Sequence, residues 1–471
     1  MMRAGAVIGG EVVWPADVFE DVDPGTGQVV AEVARCGAAE IDAAVTAARA
    51  ASSGWRRRPP AERSRLLART ADLIRRDHDE LSRIETIDTG KPLAQARVDV
   101  TIAARYFDFY AHTLEALYGS TIPLGPALLA YTLREPHGVT GHIIPWNYPA
   151  QMVGRTVAPA VAAGNCCVLK PAEEAPLNGV RIAQLALEAG IPPGVFNVVP
   201  GLGEEAGAAL AAHSGIDYLS FTGSTEVGRL VAKAAADNVV PVTVELGGKS
   251  PNVVFADADL ERAVPGIVGS IVQNAGQTCS AGARLLVEEP VYDRVRDAVA
   301  ERFRSLTVGH GLDDPDVGPL ISERQRDRVA SIVEAGRSDA NVFVGGAVLD
   351  RPGYFFEATL FDEVRPGSAI ATEEVFGPVL AMAAFRDVDQ AVALANATQY
   401  GLVAGIWTRD IGKAHTVAAE IAAGQIFINT YGAGGGVELP FGGFKMSGYG
   451  REKGIEGLVA YTRTKTVAVG L

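Results

Sequence analysis

From Gly138 onward, short β-branched runs end again and again in clusters of Gly, Pro and small polar residues, with helical stretches between several of them. Residues 139–144 stop at Pro145-Trp146-Asn147-Tyr148-Pro149, and 166–169 at Lys170-Pro171-Ala172-Glu173. Residues 196–199 stop at Pro200-Gly201-Leu202-Gly203, 218–221 at Thr222-Gly223-Ser224, and 242–246 at Gly247-Gly248. A chain that repeatedly turns from strand to helix through such corners fits a sheet covered by helices, the doubly wound α/β arrangement. Polar side chains at the strand ends of such a sheet project into a crevice.

The second half repeats the alternation, with strands at 285–288, 379–385 and 425–429 and helices at 261–275, 291–306, 323–335 and 388–397. Gly432-Ala433-Gly434-Gly435-Gly436 reads as a loop. Before Gly138 the pattern is different. Val12-Val13-Trp14 and 29–33 flank Asp23-Pro24-Gly25-Thr26-Gly27 and predict a hairpin. Helices follow over 38–51, 60–78, 79–89 and 98–118. Residues 128–134 read as a strand on an extended arm with no partner nearby, so they pair with 460–469 or with another subunit. At 471 residues the chain exceeds one core and predicts two or three domains.

Several function classes are excluded by charge and composition. With 42 basic and 56 acidic residues, a net charge of −14 and no basic stripe, a nucleic-acid partner is not expected. No run approaches the ~18 to 20 apolar residues of a membrane span. The amino terminus lacks the pattern of a secretory signal. Of the four cysteines, Cys166 and Cys167 are adjacent within an apolar strand, a poor start for a disulfide framework, so a reducing cytoplasm is expected.

The fourth cysteine stands apart. Gln273-Asn274-Ala275-Gly276-Gln277-Thr278-Cys279-Ser280 surrounds it with small and amide-bearing residues at the end of an apolar-periodic helix, where a packing cysteine would sit among aliphatics. Such a thiol reads as a nucleophile. Asn147, at a strand end, offers an amide that donates without titrating, and Glu245 offers a carboxylate between a β-branched run and two glycines.

Pro145-Trp146-Asn147-Tyr148-Pro149, Phe221-Thr222-Gly223-Ser224, Glu245-Leu246-Gly247-Gly248-Lys249, Gly276-Gln277-Thr278-Cys279 and Glu374-Val375-Phe376-Gly377-Pro378 occur in this order. Together they resemble the aldehyde dehydrogenase superfamily, the hydrolytic NAD(P)-dependent enzymes, from about Asp23 to Val467. The resemblance implies a Rossmann-like cofactor domain (1–118 and 139–247), an α/β catalytic domain (248–447) and a small β oligomerisation arm (119–138 and 448–471). It implies a homodimer or homotetramer acting on a small aldehyde. Cys279 would then be the nucleophile, Asn147 with the nucleophile's own N–H the oxyanion site, and Glu245 the base that activates water and deprotonates the thiol. Relatives that pass the acyl group to coenzyme A generally lack this acid, so its presence favours hydrolysis.

For the cofactor, the resemblance assigns Lys170 and Glu173 to the adenosine ribose. Gly203, Gly207, Ser224 and Trp146 would line the adenosine and pyrophosphate, and Glu374 and Phe376 the nicotinamide ribose and ring. Ile143, Pro145, Phe221 and Leu246 complete the set, and no metal is expected. A carboxylate at 173 accepts from both ribose hydroxyls and repels a 2′-phosphate, so NAD is preferred, with NADP still possible. Gly201-Leu202-Gly203-Glu204-Glu205-Ala206 nominally fits the Gly-x-Gly-x-x-Gly/Ala fingerprint, a match with little weight alone.

One departure stands out. Many relatives carry a lysine where this chain has Thr156, thought to work with Glu452 and the base in a proton relay. Glu452 is retained, so either its relay role lapses or Thr156 and water bridge the gap. Tyr148, Met152 and Arg155 match the substrate tunnel. Arg155 either favours a polar or acidic aldehyde or pairs with an acid such as Glu438. The rival readings are a coenzyme A-acylating dehydrogenase, a non-redox thiol esterase and a non-catalytic protein on this fold.

Overall fold

Five parallel strands form the heart of the first sheet, because their residues are buried on both faces and only helices can cover them. The computed structural model describes residues 1–432 and 436–471, so part of the glycine loop read at 432–436 lies outside the described residues. The strands run in the order Val242–Glu245, Tyr218–Thr222, Val139–Ile143, Cys166–Lys170, Phe196–Val198. The chain enters at Val139–Ile143, winds outward one way, then returns to wind the other way from Tyr218–Thr222. The carboxyl ends of those two neighbours therefore open the crevice expected at a topological switch point. Gly448–Tyr449 extends the sheet antiparallel beyond Val242–Glu245, and Ala6–Ile8 and Glu11–Val13 close its other edge.

The helix Pro149–Ala163 is buried almost all round, since it lies between this sheet and the helix Leu93–Thr113. That helix begins directly after Pro92, earlier than the expected 98–118, because Pro92 ends the preceding turn and good helix formers follow at once.

A second sheet has the order Asn341–Val344, Thr359–Asp362, Val379–Phe385, Arg284–Glu288, Pro251–Val254, Val403–Trp407, Gln425–Ile428. All its pairings are parallel except that of the first two strands. The third sheet pairs Leu128–Pro136 with Thr121–Pro123 and, over its whole length, with Thr462–Gly470. The arm strand thus finds the carboxyl-terminal partner that was one of its two expected alternatives. Ile122, Leu124, Leu129, Leu133 and Val469 are exposed on or beside this ribbon.

The amino-terminal hairpin differs from expectation. Its first arm is Val18–Asp23, paired with Gln28–Ala34, while Val12 pairs with Val7. The acids of Val18–Asp23 hide its alternation, because Asp21 and Asp23 turn inward with Asp23 held by the Gly25 N–H (2.8 Å) and His310 (2.9 Å).

Candidate active site

The helix Leu260–Val272 buries Val264, Ile267, Val268 and Ile271 and delivers the chain to the crevice. There Asn274 (φ 50°), Ala275 (φ 52°) and Gly276 (φ 72°) are all left-handed. An alanine in this region costs roughly 1–2 kcal/mol, a strain that surrounding contacts must hold in place. Gly276 is obligatory, since a Cβ there would lie 2.1 Å from the Gly377 carbonyl oxygen. The turn releases Cys279 half-buried at the end of a short loop. Gly248 lets the loop close, because a Cβ at that position would meet the Cys279 carbonyl oxygen at 2.4 Å.

Asn147 braces this loop from the first sheet. Its Nδ2 donates to the Gln277 carbonyl at 2.8 Å, leaving one of its two amide hydrogens uncommitted by that bond. Its own carbonyl accepts from Asn274 Nδ2 (2.9 Å) and Lys91 Nζ (2.9 Å). The Tyr148 hydroxyl bonds Thr278 Oγ1 at 2.7 Å, Tyr431 donates to the Ser280 carbonyl at 2.7 Å, and Gln277 Oε1 accepts from the Ile321 N–H at 2.9 Å. Lys91 was not anticipated from the sequence. Its ammonium is fully buried between Glu85 and Asp99 and lies 4.3 Å from the centre of the Tyr148 ring. A lysine wedged between Gly90 and Pro92 was the available signal, but the acids that hold it come from two separate helices.

Burial pushes the Cys279 thiol up to about 11, the positive charge of Arg155 opposing the shift and the negative charges of Glu374 and Glu245 adding to it. Glu245 closes the strand Val242–Glu245 and is 2% exposed. Neither of its carboxylate oxygens meets a hydrogen-bond donor among the described residues. Burial holds it well above the usual carboxylate range; Arg155 draws it down and Glu452 drives it up. Thiol and acid therefore sit near one another in opposite need: the thiol resists losing a proton and the acid is disposed to take one.

Glu452 lies behind Glu245, fixed by paired backbone bonds with Phe441 (2.7 and 2.8 Å) and by the Ser220 hydroxyl, which donates to its Oε1 at 3.0 Å. Arg155 is buried beside both acids. Of the two expectations for Arg155, pairing with an acid is met, but by Glu452 and not by Glu438: Glu438 is exposed and pairs with Arg105, because Arg155 lies inward on the helix Pro149–Ala163. Thr156 does not bridge toward the acids through its hydroxyl, which donates back to the Met152 carbonyl at 2.9 Å. Met152 is buried one turn earlier.

The remaining named residues line the strand ends. Lys170 Nζ donates to Glu173 at 2.8 Å, and the Gly203 N–H reaches the same carboxylate at 3.4 Å. Burial raises Glu173, but the charge and hydrogen bond of Lys170 outweigh it and hold the group below its ordinary range, so it is an ionised acceptor. Gly203 and Gly207 border Glu173 and Lys170, where a Cβ would stand at ordinary contact distance, 3.7 and 3.9 Å respectively. Ser224 caps the helix Thr225–Asp237, accepting from the Val227 N–H at 3.2 Å. Trp146 meets Phe376 edge-on at 5.3 Å, and Phe376 itself is left-handed (φ 57°). Glu374 accepts from the Gly248 N–H at 2.9 Å and burial raises it to about 7. Pro145 is half-buried, and Ile143, Phe221 and Leu246 are buried at the same strand ends. An acidic acceptor, side-chain-free glycines and a capped helix along one crevice fit a dinucleotide. Lys453 was not anticipated. It adopts φ 60° and ψ 173°, a region almost confined to glycine, and burial lowers its ammonium to about 7.

A family model described as the aldehyde dehydrogenase family matches residues 14–467. Human retinal dehydrogenase 2 is 44% identical over 459 residues, which span 96% of this chain and 88% of that protein. Human mitochondrial aldehyde dehydrogenase is 43% identical over 458 residues, with the same shares of 96% and 88%. The crystal structure of an NAD-dependent aldehyde dehydrogenase from Sinorhizobium meliloti superposes with a TM-score of 0.98 at 41% identity, over 100% of this chain and 95% of that one. The NAD+ complex of an aldehyde dehydrogenase from Bacillus cereus gives 0.98 at 41% identity, over 99% and 96%.

Proposed function

The chain belongs to the aldehyde dehydrogenase family and oxidises an aldehyde to the acid with NAD; we propose that it does so through a thioester on Cys279 that Glu245 clears with water. The observation that carries the proposal is the pairing of a desolvated thiol with a buried carboxylate that no donor among the described residues occupies. Glu245 takes the thiol proton as sulfur bonds to the carbonyl carbon, and the resulting oxyanion accepts hydrogen bonds from Asn147 Nδ2 and the Cys279 N–H. NAD, when bound along Lys170, Glu173, Ser224 and Glu374, supplies the acceptor for the hydride that the carbon gives up. Once the thiol proton has passed from Glu245 to solvent, the carboxylate takes a proton from water as the water oxygen attacks the thioester carbon. The carbon–sulfur bond breaks, the leaving thiolate recovers that proton from Glu245, and the released acid ionises to the carboxylate.

Asn147→Ala should lower kcat by about 10²–10³-fold, the cost of one lost oxyanion donor, with the KM for aldehyde changing far less. Steady-state kinetics reads the split. A rise in KM with kcat intact would remove Asn147 from the oxyanion role.

The test of the function is a screen for NADH formation over aliphatic, aromatic, amino and carboxylated aldehydes, with NAD and NADP compared and coenzyme A added or withheld. Free carboxylate is expected in both cases, with NAD preferred. Glu173→Gln should raise the NADP:NAD ratio of kcat/KM about fivefold or more, since one repulsive charge near a 2′-phosphate is gone. Acyl-coenzyme A as product would favour the rival acylating reaction.

The exposed apolar side chains of the third sheet support a homodimer or homotetramer built on this arm, with the chain divided into cofactor, catalytic and bridging parts. Among the described residues no helix is long and apolar enough to cross a membrane, and the four free cysteines support a cytoplasmic setting.

A further inference from the structure

Arg155 is 7% exposed, with its Nε 2.5 Å from Glu452 Oε2 and its Nη2 3.9 Å from Glu245 Oε2. Neither nitrogen makes an aligned hydrogen bond among the described residues, so the contact is electrostatic. The guanidinium rests on the Phe441 ring, 4.3 Å from its centre. Two buried carboxylates thus share one cation. Glu452 has a second partner in Ser220 (3.0 Å), whereas Glu245 has no donor among the described residues. Like charges that share one cation in a desolvated pocket do not ionise independently, and the opposite charge biases which acid holds the proton.

Building on the aldehyde-oxidising function above, we propose that Arg155 is a positioning residue for the base. By neutralising Glu452, it lets Glu245 pass between acid and carboxylate without an unbalanced charge beside it. Its guanidinium is thereby committed to the acids and not to the substrate.

Most of the other groups facing this trio are neutral through the working range. Tyr106 and Tyr110 come from the helix Leu93–Thr113, and Tyr218 and Tyr461 pack behind; burial raises all four phenols. The Cys279 thiol sits in front, at about 11. Charged neighbours are Arg451 on the carboxyl-terminal segment and Glu438 before it. Two neighbours can contribute limbs of their own: Lys453, lowered to about 7 by burial, whose effect is separated by substitution, and Glu374 beyond the thiol, raised to about 7, which is common to every variant compared.

The experiment compares pH profiles of kcat/KM for wild type, Arg155→Gln, Arg155→Lys and Arg155→Gln/Glu452→Gln in the full-length protein, each repeated in a Lys453→Gln background. A matched pair of neutral and carboxylated aldehydes serves as substrate. Removing the cation raises the proton affinity of Glu245, so the acid limb of Arg155→Gln should move up by about 1–3 pH units. Activity at pH 7 should then fall about tenfold or more and recover as pH rises, equally for both aldehydes. Arg155→Lys, which keeps the charge, should hold the limb near its wild-type position. The double variant removes the cation together with the acid it meets at 2.5 Å, so Glu452 is not left as an unpaired buried charge. It should fold even where Arg155→Gln does not, with its limb moved back toward wild type. All shifts should persist without Lys453. A loss uniform across pH in Arg155→Gln, or a double variant no better than the single one, would overturn the proposal. So would a loss confined to the carboxylated aldehyde, which would make Arg155 a substrate ligand. A wild type inactive on both aldehydes would instead fail the functional reading on which the proposal stands.

Discussion

Cys279→Ala is expected to lose kcat by about 10⁴-fold or more, the scale seen when a covalent nucleophile is removed from an enzyme whose other groups remain. The other three cysteines provide the control. Cys36, Cys166 and Cys167 are wholly buried and burial raises each thiol far from reactivity, so replacing any of them should disturb packing and leave the chemistry running. Of the four, Cys279 alone is accessible at the crevice, on a loop whose Gln277 and Ser280 carbonyls are held by Asn147 and Tyr431. The alanine variant should therefore keep its fold and its NAD affinity, measured by calorimetry or fluorescence titration. Loss of cofactor binding along with turnover would place the role of Cys279 in structure instead.

Glu245→Gln is expected to lower kcat by about 10²–10⁴-fold at neutral pH, the usual contribution of a general base. The pH dependence carries a sharper signature. A thiol at about 11 is ionised to only about one part in 10⁴ at pH 7, so attack at that pH requires the base. As pH rises, solvent supplies a growing thiolate fraction and the base matters less. The ratio of wild type to variant should therefore shrink from pH 7 to pH 10. Because burial holds Glu245 above the ordinary carboxylate range, wild-type activity should fall as pH drops through that raised value, since the protonated acid cannot accept. The glutamine variant should lack this limb. A ratio independent of pH would show that Glu245 acts otherwise than as a base.

The first α/β sheet was legible because parallel strands buried on both faces read as unbroken β-branched runs with turn chemistry at each end. Of the second, Arg284–Glu288, Val379–Phe385 and Gln425–Ile428 were legible, whereas Thr359–Asp362 and Val403–Trp407 were not. Cys279, Asn147 and Glu245 were legible for a related reason: small polar residues at strand ends and helix ends have no packing role to explain them. Where charge or proline interrupts the pattern, reading failed. The acids of Val18–Asp23 concealed a hairpin arm, and Pro251–Val254, a central strand of the second sheet, opens on a proline after the glycines at 247 and 248. The supporting charges were harder still. Lys91 meets Asn147, and Arg155 meets Glu452, only after helices and loops far apart in sequence pack together. No local periodicity encodes such a meeting, so the sequence left Arg155 between the substrate tunnel and an ion pair, and the acids it lies against are not the Glu438 named for that pair.

The account stands on a covalent acyl group at Cys279, and rapid acid quenching within the first turnover tests it most directly. Wild type and Glu245→Gln would be mixed with NAD and an aldehyde, quenched, digested, and the peptides weighed while NADH is counted. The expected result is a peptide spanning Cys279 that gains the mass of the aldehyde less two hydrogens, in step with NADH and longer-lived in the glutamine variant. NADH formed in stoichiometric amount while that peptide stays unmodified in both proteins would contradict it.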